Sequence, residues 1–237
     1  MTKTKSVSTQ QKASGIDIYF KKIFGLMFGA VALTAVACYL TIWGGGFLYL
    51  INENGFNALY YILLFGGLAL SIWTQVRAFS LKPVTAALLL ALYAVLTGVV
   101  ITPLIVFSLA INPIAILYSF IIAAVMFACM ALFGYKTVKD LSFLGVFLTL
   151  GMIGLILVGI ASIFWPLGST FATIVCFIGV LVFALFTAYD MQNLKRAYAV
   201  LGEINQKNQL AVLGALHLYI SFIAMFQYIL SLLNNRN

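Results

Sequence analysis

Charged residues are scarce in this chain of 237 residues. Asp, Glu, Lys and Arg make up only 8% of it, whereas they make up roughly 25% of an ordinary soluble domain. Hydrophobic residues make up 64%. Five acidic and thirteen basic side chains cannot cover the surface of a soluble domain of this length. The composition therefore excludes a soluble enzyme domain, a disordered chain and a disulfide-stapled secreted fold, and it indicates a protein whose solvent is lipid.

Motifs for metal, nucleotide or covalent chemistry are also missing. The three cysteines lie inside apolar runs without CxxC spacing, so neither a zinc site nor a disulfide framework is indicated. The sequence contains no HExxH, GxSG or P-loop motif. The net charge of +8 comes from short clusters between apolar runs, without a nucleic-acid-binding motif. We therefore expect no enzymatic activity, no cofactor and no nucleic-acid partner.

Seven apolar stretches are long enough to cross a bilayer, whose hydrocarbon core of ~30 Å takes about twenty helical residues. They cover residues 23–48, 58–75, 84–104, 111–133, 141–165, 169–189 and 210–233. They lack the two-residue alternation of a lipid-facing β-barrel. The sequence predicts an all-α polytopic membrane protein with a seven-transmembrane-helix bundle in residues 21–237. Residues 1–20, which are mainly polar, are predicted to form a mobile cytoplasmic tail.

The basic residues predict the orientation of this bundle. If there are seven spans, twelve of the thirteen Lys and Arg residues fall on one side of the membrane, and only Arg236 lies opposite. Positive residues are retained on the cytoplasmic side, so we expect a cytoplasmic N-terminus and an external C-terminus. The chain shows neither a cleavable signal peptide nor an Asn-x-Ser/Thr sequon. The expected location is the inner membrane of a bacterium, as a multi-pass protein.

Four polar side chains near the ends of the spans are candidates for function, because ionisable groups at the edge of the hydrocarbon are costly. Asp190 ends the sixth predicted span, and Arg77 follows the second. His217, the single histidine, lies about 10 Å into the seventh span. Ser221 follows it by one turn on the same helix face. We expect these residues to converge at the inner mouth of the bundle, as a gate and cation contact.

Each candidate also has a plainer interpretation. Asp190 would equally serve as a helix cap or as an ion-pair partner of Lys195 or Arg196. His217, as a lone histidine in an apolar helix, is more often a hydrogen-bonded core residue. Arg77, as an arginine at the end of a span, is most simply one of the basic residues that set the orientation of the helix in the membrane. A serine in a membrane helix commonly bonds to the carbonyl four residues before it.

Three stretches resemble the Bax inhibitor-1 family, also called the transmembrane Bax inhibitor motif family. They are residues 140–144 with 158–167 around the fifth span, the segment FALFTAYDMQ at 183–192, and ALHLYISFI at 215–223. A weaker likeness surrounds residues 93–98, and the whole extends over about residues 20–235. The tyrosine–aspartate pair at residues 189–190 is the most specific part of the resemblance. The resemblance implies the same seven-helix fold with a cytoplasmic N-terminus.

In members of this family that conduct calcium, the resemblance implies two aspartates that close the cytoplasmic end of a pore as a pH-dependent latch. Asp190 matches the first aspartate, and Ser221, which cannot ionise, stands at the second. Arg77 matches the family's basic residue only approximately. Calcium prefers several oxygen ligands, so Asp190 alone is expected to be a weak calcium site. His217 is a candidate replacement for the missing titrating group.

Two functions remain open. The first is a pH-sensitive cation leak, for calcium or protons, gated at the cytoplasmic mouth. The alternative is a non-conducting regulator, for instance of a stress response, that binds another membrane protein such as a membrane-bound AAA protease. Some bacterial members that resemble this pattern are regarded as partners of that protease, and the loss of the second aspartate favours this alternative.

Overall fold

The computed structural model describes residues 2–52, 55–77, 80–165, 168–201 and 204–235, with side chains from residue 15 onward except at 204 and 205. Within these residues the chain forms seven helices and one short hairpin. The helices are α1 (Thr2–Trp43), α2 (Ala58–Val76), α3 (Pro83–Ile111), α4 (Pro113–Lys136), α5 (Ser142–Phe164), α6 (Ser169–Val200) and α7 (Ile204–Asn234). Each contains a segment long and apolar enough to cross a membrane. The predicted all-α, seven-helix polytopic fold is confirmed.

Local sequence explains where several helices begin and end. Gly45 follows α1 with a φ of 67°, in the left-handed region that favours glycine, and turns the chain into a 3-10 turn. The hairpin after it pairs β1 (Ile51–Asn52) with β2 (Gly55–Phe56) in antiparallel register. Pro83 and Pro113 begin α3 and α4, where the missing N–H of proline costs no helical hydrogen bond.

The observed helices differ in length from the apolar stretches. The sixth helix continues past residue 189 to Val200, and the seventh begins at Ile204, before residue 210. The predicted spans consist mainly of apolar residues and end before the first charged side chain. The residues that flank them, such as Met, Gln, Leu, Lys and Arg, still favour a helix, so the helices continue beyond the spans. As a result Asp190 lies within α6, about 15 Å before its end, and not at its last residue.

The predicted tail also begins to pack earlier than expected. The helix α1 starts at Thr2, and the side chains of Tyr19 and Phe20 are already buried in the core. Met1 lies outside the described residues. The mobility of residues 1–20 and their cytoplasmic location remain predictions.

The seventh helix is the centre of the bundle. In its most apolar segment 72% of the residues are buried, against 11–44% in the other six helices. It packs against α1, α3, α4 and α6. Its large side chains that are almost wholly buried are Leu216, Leu218, Tyr219, Met225 and Leu230. The surrounding helices keep large apolar side chains on their outer faces, as expected where the neighbour is lipid.

Helices α1, α3 and α7 meet around a buried hydroxyl. The Thr34 hydroxyl oxygen lies 2.6 Å from the hydroxyl of Tyr219 and 3.1 Å from the carbonyl oxygen of Ala94. The single hydrogen of the Thr34 hydroxyl also faces the carbonyl oxygen of Ala30 at 2.9 Å, and when Thr34 donates to either carbonyl, Tyr219 donates to Thr34. The close approach of α1 and α3 requires Gly98, because a Cβ there would lie 2.5 Å from the carbonyl oxygen of Thr34.

The Lys and Arg clusters meet at one end of the bundle, here called the basic end. Side-chain hydrogen bonds of 2.7–2.8 Å link segments that are distant in sequence. They join Lys22 to Asn208, Gln209 to Leu81, Gln192 to Lys139, Lys195 to Tyr135, and Arg196 to Asp140. The end of α2, the α4–α5 connection and the start of α7 therefore lie together. Arg236, the base expected at the other end, lies outside the described residues, and the side of the membrane that the basic end faces remains a prediction.

Candidate functional site

Asp190 is a buried carboxylate near the basic end. It lies on the inward face of α6 together with Thr187, Met191 and Leu194, and it is 8% exposed. Among the described residues the Asp190 carboxylate accepts no hydrogen bond, and the one cationic or titratable partner within 4.0 Å is His217. The two atoms that approach are Oδ1 of Asp190 and Nδ1 of His217, 3.8 Å apart. This separation suits an ion pair and is too long for a hydrogen bond.

His217 connects this carboxylate to a third helix. Its Nε2 lies 3.0 Å from Oε1 of Gln75, near the end of α2. The imidazole is partly buried, with 32% of its side chain exposed. Asp190, His217 and Gln75, here called the Asp190 cluster, bring α6, α7 and α2 together through polar side chains.

The Asp190 cluster can change its charge by single protons. With one proton shared between carboxylate and imidazole the pair is neutral, and without that proton it carries one negative charge. A second proton makes it positive. Because the carboxylate and the imidazole face each other, the pair binds protons as a coupled unit, and the charge of this buried site can change with pH.

Ser221 lies one helical turn beyond His217 on α7 and is buried, with 3% exposed. Among the residues that the structure describes, its hydroxyl makes no hydrogen bond. The expected bond to the carbonyl four residues earlier is therefore absent, although Thr34, Thr97 and Ser119 each make such a bond. Ser221 is a small polar group on the face of α7 that carries His217.

Arg77 does not join the Asp190 cluster. It is an exposed residue that follows the last residue of α2. In the described part of the chain no carboxylate lies within 4.0 Å of its guanidinium. The counter-charge expected for Asp190 at this position is therefore not present, because α2 ends with Gln75 turned toward α7 and Arg77 turned outward.

The alternative partners expected for Asp190 are engaged elsewhere. Arg196 forms an ion pair with Asp140, with Nη1 and Oδ1 2.7 Å apart. Lys195 donates to the carbonyl oxygen of Tyr135 at 2.8 Å. Asp140 lies outside the spans, and hydrogen bonds from Ser142 and Arg196 hold the pKa of its carboxyl well below the usual range. Asp190 is thus neither a surface ion-pair residue nor a helix cap.

Gln75 is the site residue that sequence reasoning missed. It is the last residue of the second apolar stretch, where a polar side chain simply marks the end of a span. The only available signal was its position, at the same end of the bundle as Asp190 and His217. Its contact with His217 depends on the rotation of α2 about its own axis, which the sequence does not display.

A cavity of about 290 Å³ has Gln75 among its lining residues, whereas Asp190 and His217 do not line it. It lies between α2, α3, α5, α6 and α7, and Gln75 is its lining residue nearest to the end of α2. Its polar lining side chains are Ser71, Gln75, Tyr93, Thr97, Tyr219 and Gln227. A second cavity of about 310 Å³ continues toward the opposite end between α2 and α5 and is lined there by Phe56, Tyr60 and Ser162. Leu64, Leu68 and Ile156 line both cavities.

The site offers little to a tightly bound metal. Within the described residues no group of three His, Cys, Asp or Glu side chains is placed to hold an ion. Calcium takes six to eight oxygen ligands, and here Asp190 supplies the single carboxylate. The described side chains therefore do not supply the set of oxygen ligands that a tight calcium site needs.

Comparison with known proteins finds relatives that match nearly the whole chain. The family model described as "Inhibitor of apoptosis-promoting Bax1" matches residues 17–237. An uncharacterized protein of Rickettsia prowazekii is 32% identical over 99% of this chain and 98% of its own length. The inner membrane protein YbhL of Escherichia coli K12 is 31% identical over 98% of this chain and 97% of its own. An uncharacterized protein of Caulobacter vibrioides is 34% identical over 91% of this chain and 86% of its own.

These relatives also bear on the location. YbhL is named as an inner membrane protein, and seven helices of the present chain can cross a membrane. The predicted location, a multi-pass protein of a bacterial inner membrane, is confirmed. Because the family model and the relatives each cover nearly the whole sequence, the chain belongs to the Bax inhibitor-1 family of integral membrane proteins.

Proposed function

We propose that this protein is a pH-sensitive cation leak whose gate is the Asp190 cluster. The observation that carries the proposal is the 3.8 Å approach of Oδ1 of Asp190 to Nδ1 of His217, between two helices of the bundle. A buried carboxylate without a permanent cationic partner is costly, and such groups in membrane helices are usually functional. Here its nearest partner can itself gain or lose a proton.

The direction of the pH response follows from the charge of the cluster. At low pH the imidazole and the carboxyl are protonated, so the charge of the cluster is positive or neutral. A positive cluster repels a cation, and a neutral cluster does not attract one. As the pH rises, the cluster loses protons and becomes negative, so it attracts cations. We therefore expect the leak to increase with pH.

The two cavities between α2 and α5 support a route through the bundle. The first begins at Gln75 and contains hydroxyl and amide groups of Ser71, Thr97 and Gln227. The second continues it to Tyr60 and Ser162 near the opposite end. The apolar side chains of Leu64, Leu68 and Ile156 separate the polar parts, so passage requires these side chains to move. A slow leak fits this geometry better than an open channel.

The orientation expected from the charges places this gate on the cytoplasmic side. Calcium and protons are the candidate ions. The single carboxylate of Asp190 gives calcium a weak site, so calcium would pass without strong retention. Ser221→Asp would add a second carboxylate at the position where the family's calcium-conducting members have one, and should strengthen calcium binding.

The test is ion flux into liposomes that contain the purified protein, measured with an enclosed calcium dye and with an enclosed pH dye. Wild type should leak more at about pH 8 than at about pH 6. Asp190→Asn should abolish most of the flux, and His217→Gln should change the pH at which the flux rises, because the carboxylate of Asp190 then titrates without its imidazole partner. Asp140→Asn is the matched control, because this exposed carboxylate also lies at the basic end. Flux equal to that of empty liposomes at both pH values would overturn the proposal.

The alternative, a non-conducting regulator of a membrane protein such as a membrane-bound AAA protease, makes the opposite prediction. If the protein is such a regulator, liposomes that contain it should show no ion flux. Cross-linking in native membranes should then recover a partner protein. Deleting residues 2–14 removes much of the expected tail while keeping the packed residues from Tyr19 onward. A partner lost with this deletion, together with absent flux, would favour the regulator.

A further inference from the structure

A long apolar cleft separates α1 from α4 on the side of the bundle away from the Asp190 cavities. Its first lobe, of about 600 Å³, is lined by residues 17–28 of α1 and 124–135 of α4. Its second lobe, of about 560 Å³, continues between residues 31–42 of α1 and 113–120 of α4. Phe222 of the central helix lines both lobes and forms part of their floor.

The first lobe is apolar except at the basic end. Phe24, Phe28, Phe127 and Leu132 are among the side chains that line it. These are aromatic and aliphatic surfaces without a hydrogen-bonding group, so a hydrocarbon chain could lie along them without leaving any polar atom unsatisfied.

The mouth of this lobe is positively charged. Lys21 lines it directly, and exposed Lys136 follows the lining residue Tyr135 at the end of α4. The ammonium of Lys195 lies 4.8 Å from the centre of the Tyr135 ring. Asp17 is the one acid among the lining residues. Lys21 therefore lines this end of the lobe, with Lys136 and Lys195 beside the lining residue Tyr135, and Asp17 is the one acid in the lining.

The length of the first lobe matches one leaflet. Residues 17–28 of α1 extend over about 16 Å at 1.5 Å per residue. The hydrocarbon core is about 30 Å thick, so one leaflet contributes about half of that. A lipid whose headgroup lies at the basic end would place an acyl chain along this lobe and end it near Phe222.

We propose that the first lobe is a binding site for an anionic phospholipid of the leaflet at the basic end. One acyl chain lies between α1 and α4, and the phosphate lies at Lys21 and Lys136. Basic pockets between transmembrane helices are suited to anionic headgroups. Charge complementarity favours this ligand over a transmembrane helix of a partner, whose apolar segment would bring no negative group to the three lysines.

The experiment uses quenching of tryptophan fluorescence by brominated lipids in vesicles of the full-length protein. The native Trp43, Trp73 and Trp165 are replaced by Phe, and Phe28→Trp places a reporter in the lobe. Val125→Trp is the matched control, since Val125 is exposed on α4 and does not line the cleft. The probes are brominated phosphatidylglycerol and brominated phosphatidylcholine, each titrated into unbrominated phosphatidylcholine.

The Phe28→Trp reporter should be quenched by phosphatidylglycerol at a mole fraction about thirtyfold lower than by phosphatidylcholine, the ratio expected from two lysines near the headgroup. The control reporter should not distinguish the two lipids. Lys21→Gln with Lys136→Gln should remove the preference, and Lys82→Gln should keep it. Equal quenching of the Phe28→Trp reporter by both lipids would overturn the proposal. Absence of quenching by either lipid would also overturn it, because the cleft would then be covered by a second copy or another protein.

Discussion

Gln75 and His217 lie 142 residues apart in the sequence, and Oε1 of the amide is 3.0 Å from Nε2 of the imidazole. This contact fixes the ring of His217 between α2 and Asp190. Gln75→Met, which keeps the length of the side chain but not its amide, should lower the free energy of unfolding by about 1 kcal/mol. A double-mutant cycle with His217→Ala in thermal unfolding should return a coupling of similar size. Gln227→Met, at a cavity position without a hydrogen bond among the described residues, should show no coupling.

The hydroxyl pair of Thr34 and Tyr219 should couple α1 to α7. Thr34→Val removes the acceptor of the buried Tyr219 hydroxyl and should destabilise the protein by about 1–3 kcal/mol, the cost of an unsatisfied buried group. Tyr219→Phe in the same background should cost little more, because the unpaired hydroxyl is then gone. Thermal unfolding in detergent measures both. Additive losses would contradict the hydrogen bond.

Gly98 should tolerate no side chain. A Cβ there would lie 2.5 Å from the Thr34 carbonyl oxygen and 2.7 Å from the Cβ of Ala37, so Gly98→Ala must push α1 and α3 apart. We expect a loss of about 1–3 kcal/mol. Gly154→Ala on α5 is the control, since nothing lies within 4 Å of the added carbon. That substitution should be neutral or stabilise by about 0.5–1 kcal/mol. Equal melting temperatures for the two variants would argue against the close approach.

The Asp140–Arg196 pair should be insensitive to pH near neutrality. The pKa of Asp140 is lowered by its hydrogen bonds with Ser142 and Arg196, so its stabilisation is present above the carboxyl's unfolded pKa of about 4 and disappears as the pH falls through the lower folded value. The difference in melting temperature between wild type and Asp140→Asn should therefore stay constant from about pH 8 to about pH 5 and narrow only below that. A difference that vanishes near neutral pH would show that the pair does not form.

The orientation of the bundle can be measured with reporters. If the Lys and Arg clusters are retained in the cytoplasm, alkaline phosphatase fused after residue 237 should be active and green fluorescent protein at the same position should be dark. The same reporters inserted in the α4–α5 connection at residue 138 should give the reverse result. Active phosphatase at residue 138 would invert the assignment of the gate to the cytoplasmic side.

The number of helices could be predicted because each span is a separate apolar run, and an error of one span would have scattered the basic residues over both sides. The residues at which the helices begin and end were harder to predict from the sequence. Hydropathy records where a helix leaves lipid, and α6 continues as a helix to Val200 after it has done so. Because this extension was not predicted, Asp190 was expected at the end of the sixth helix, whereas it lies within α6.

The contacts of the site were harder to predict than its residues. Asp190 and His217 were identifiable as polar side chains in apolar surroundings. The pairing of His217 with Gln75, and the outward position of Arg77, depend on how each helix is rotated about its axis. Apolar residues surround most of these helices on every side, so the sequence shows no polar stripe from which the rotation could be read.

The central position of α7 has a consequence for biosynthesis. This helix follows the other six in the chain, so the ribosome makes it after them, and domains tend to fold in the order of synthesis. Until it enters, α1, α3, α4 and α6 have no common axis to pack on, and Asp190 and Thr34 lack their partners His217 and Tyr219. Insertion of the seventh segment is thus the step that completes the packing around the central helix and pairs the buried polar groups of α1 and α6.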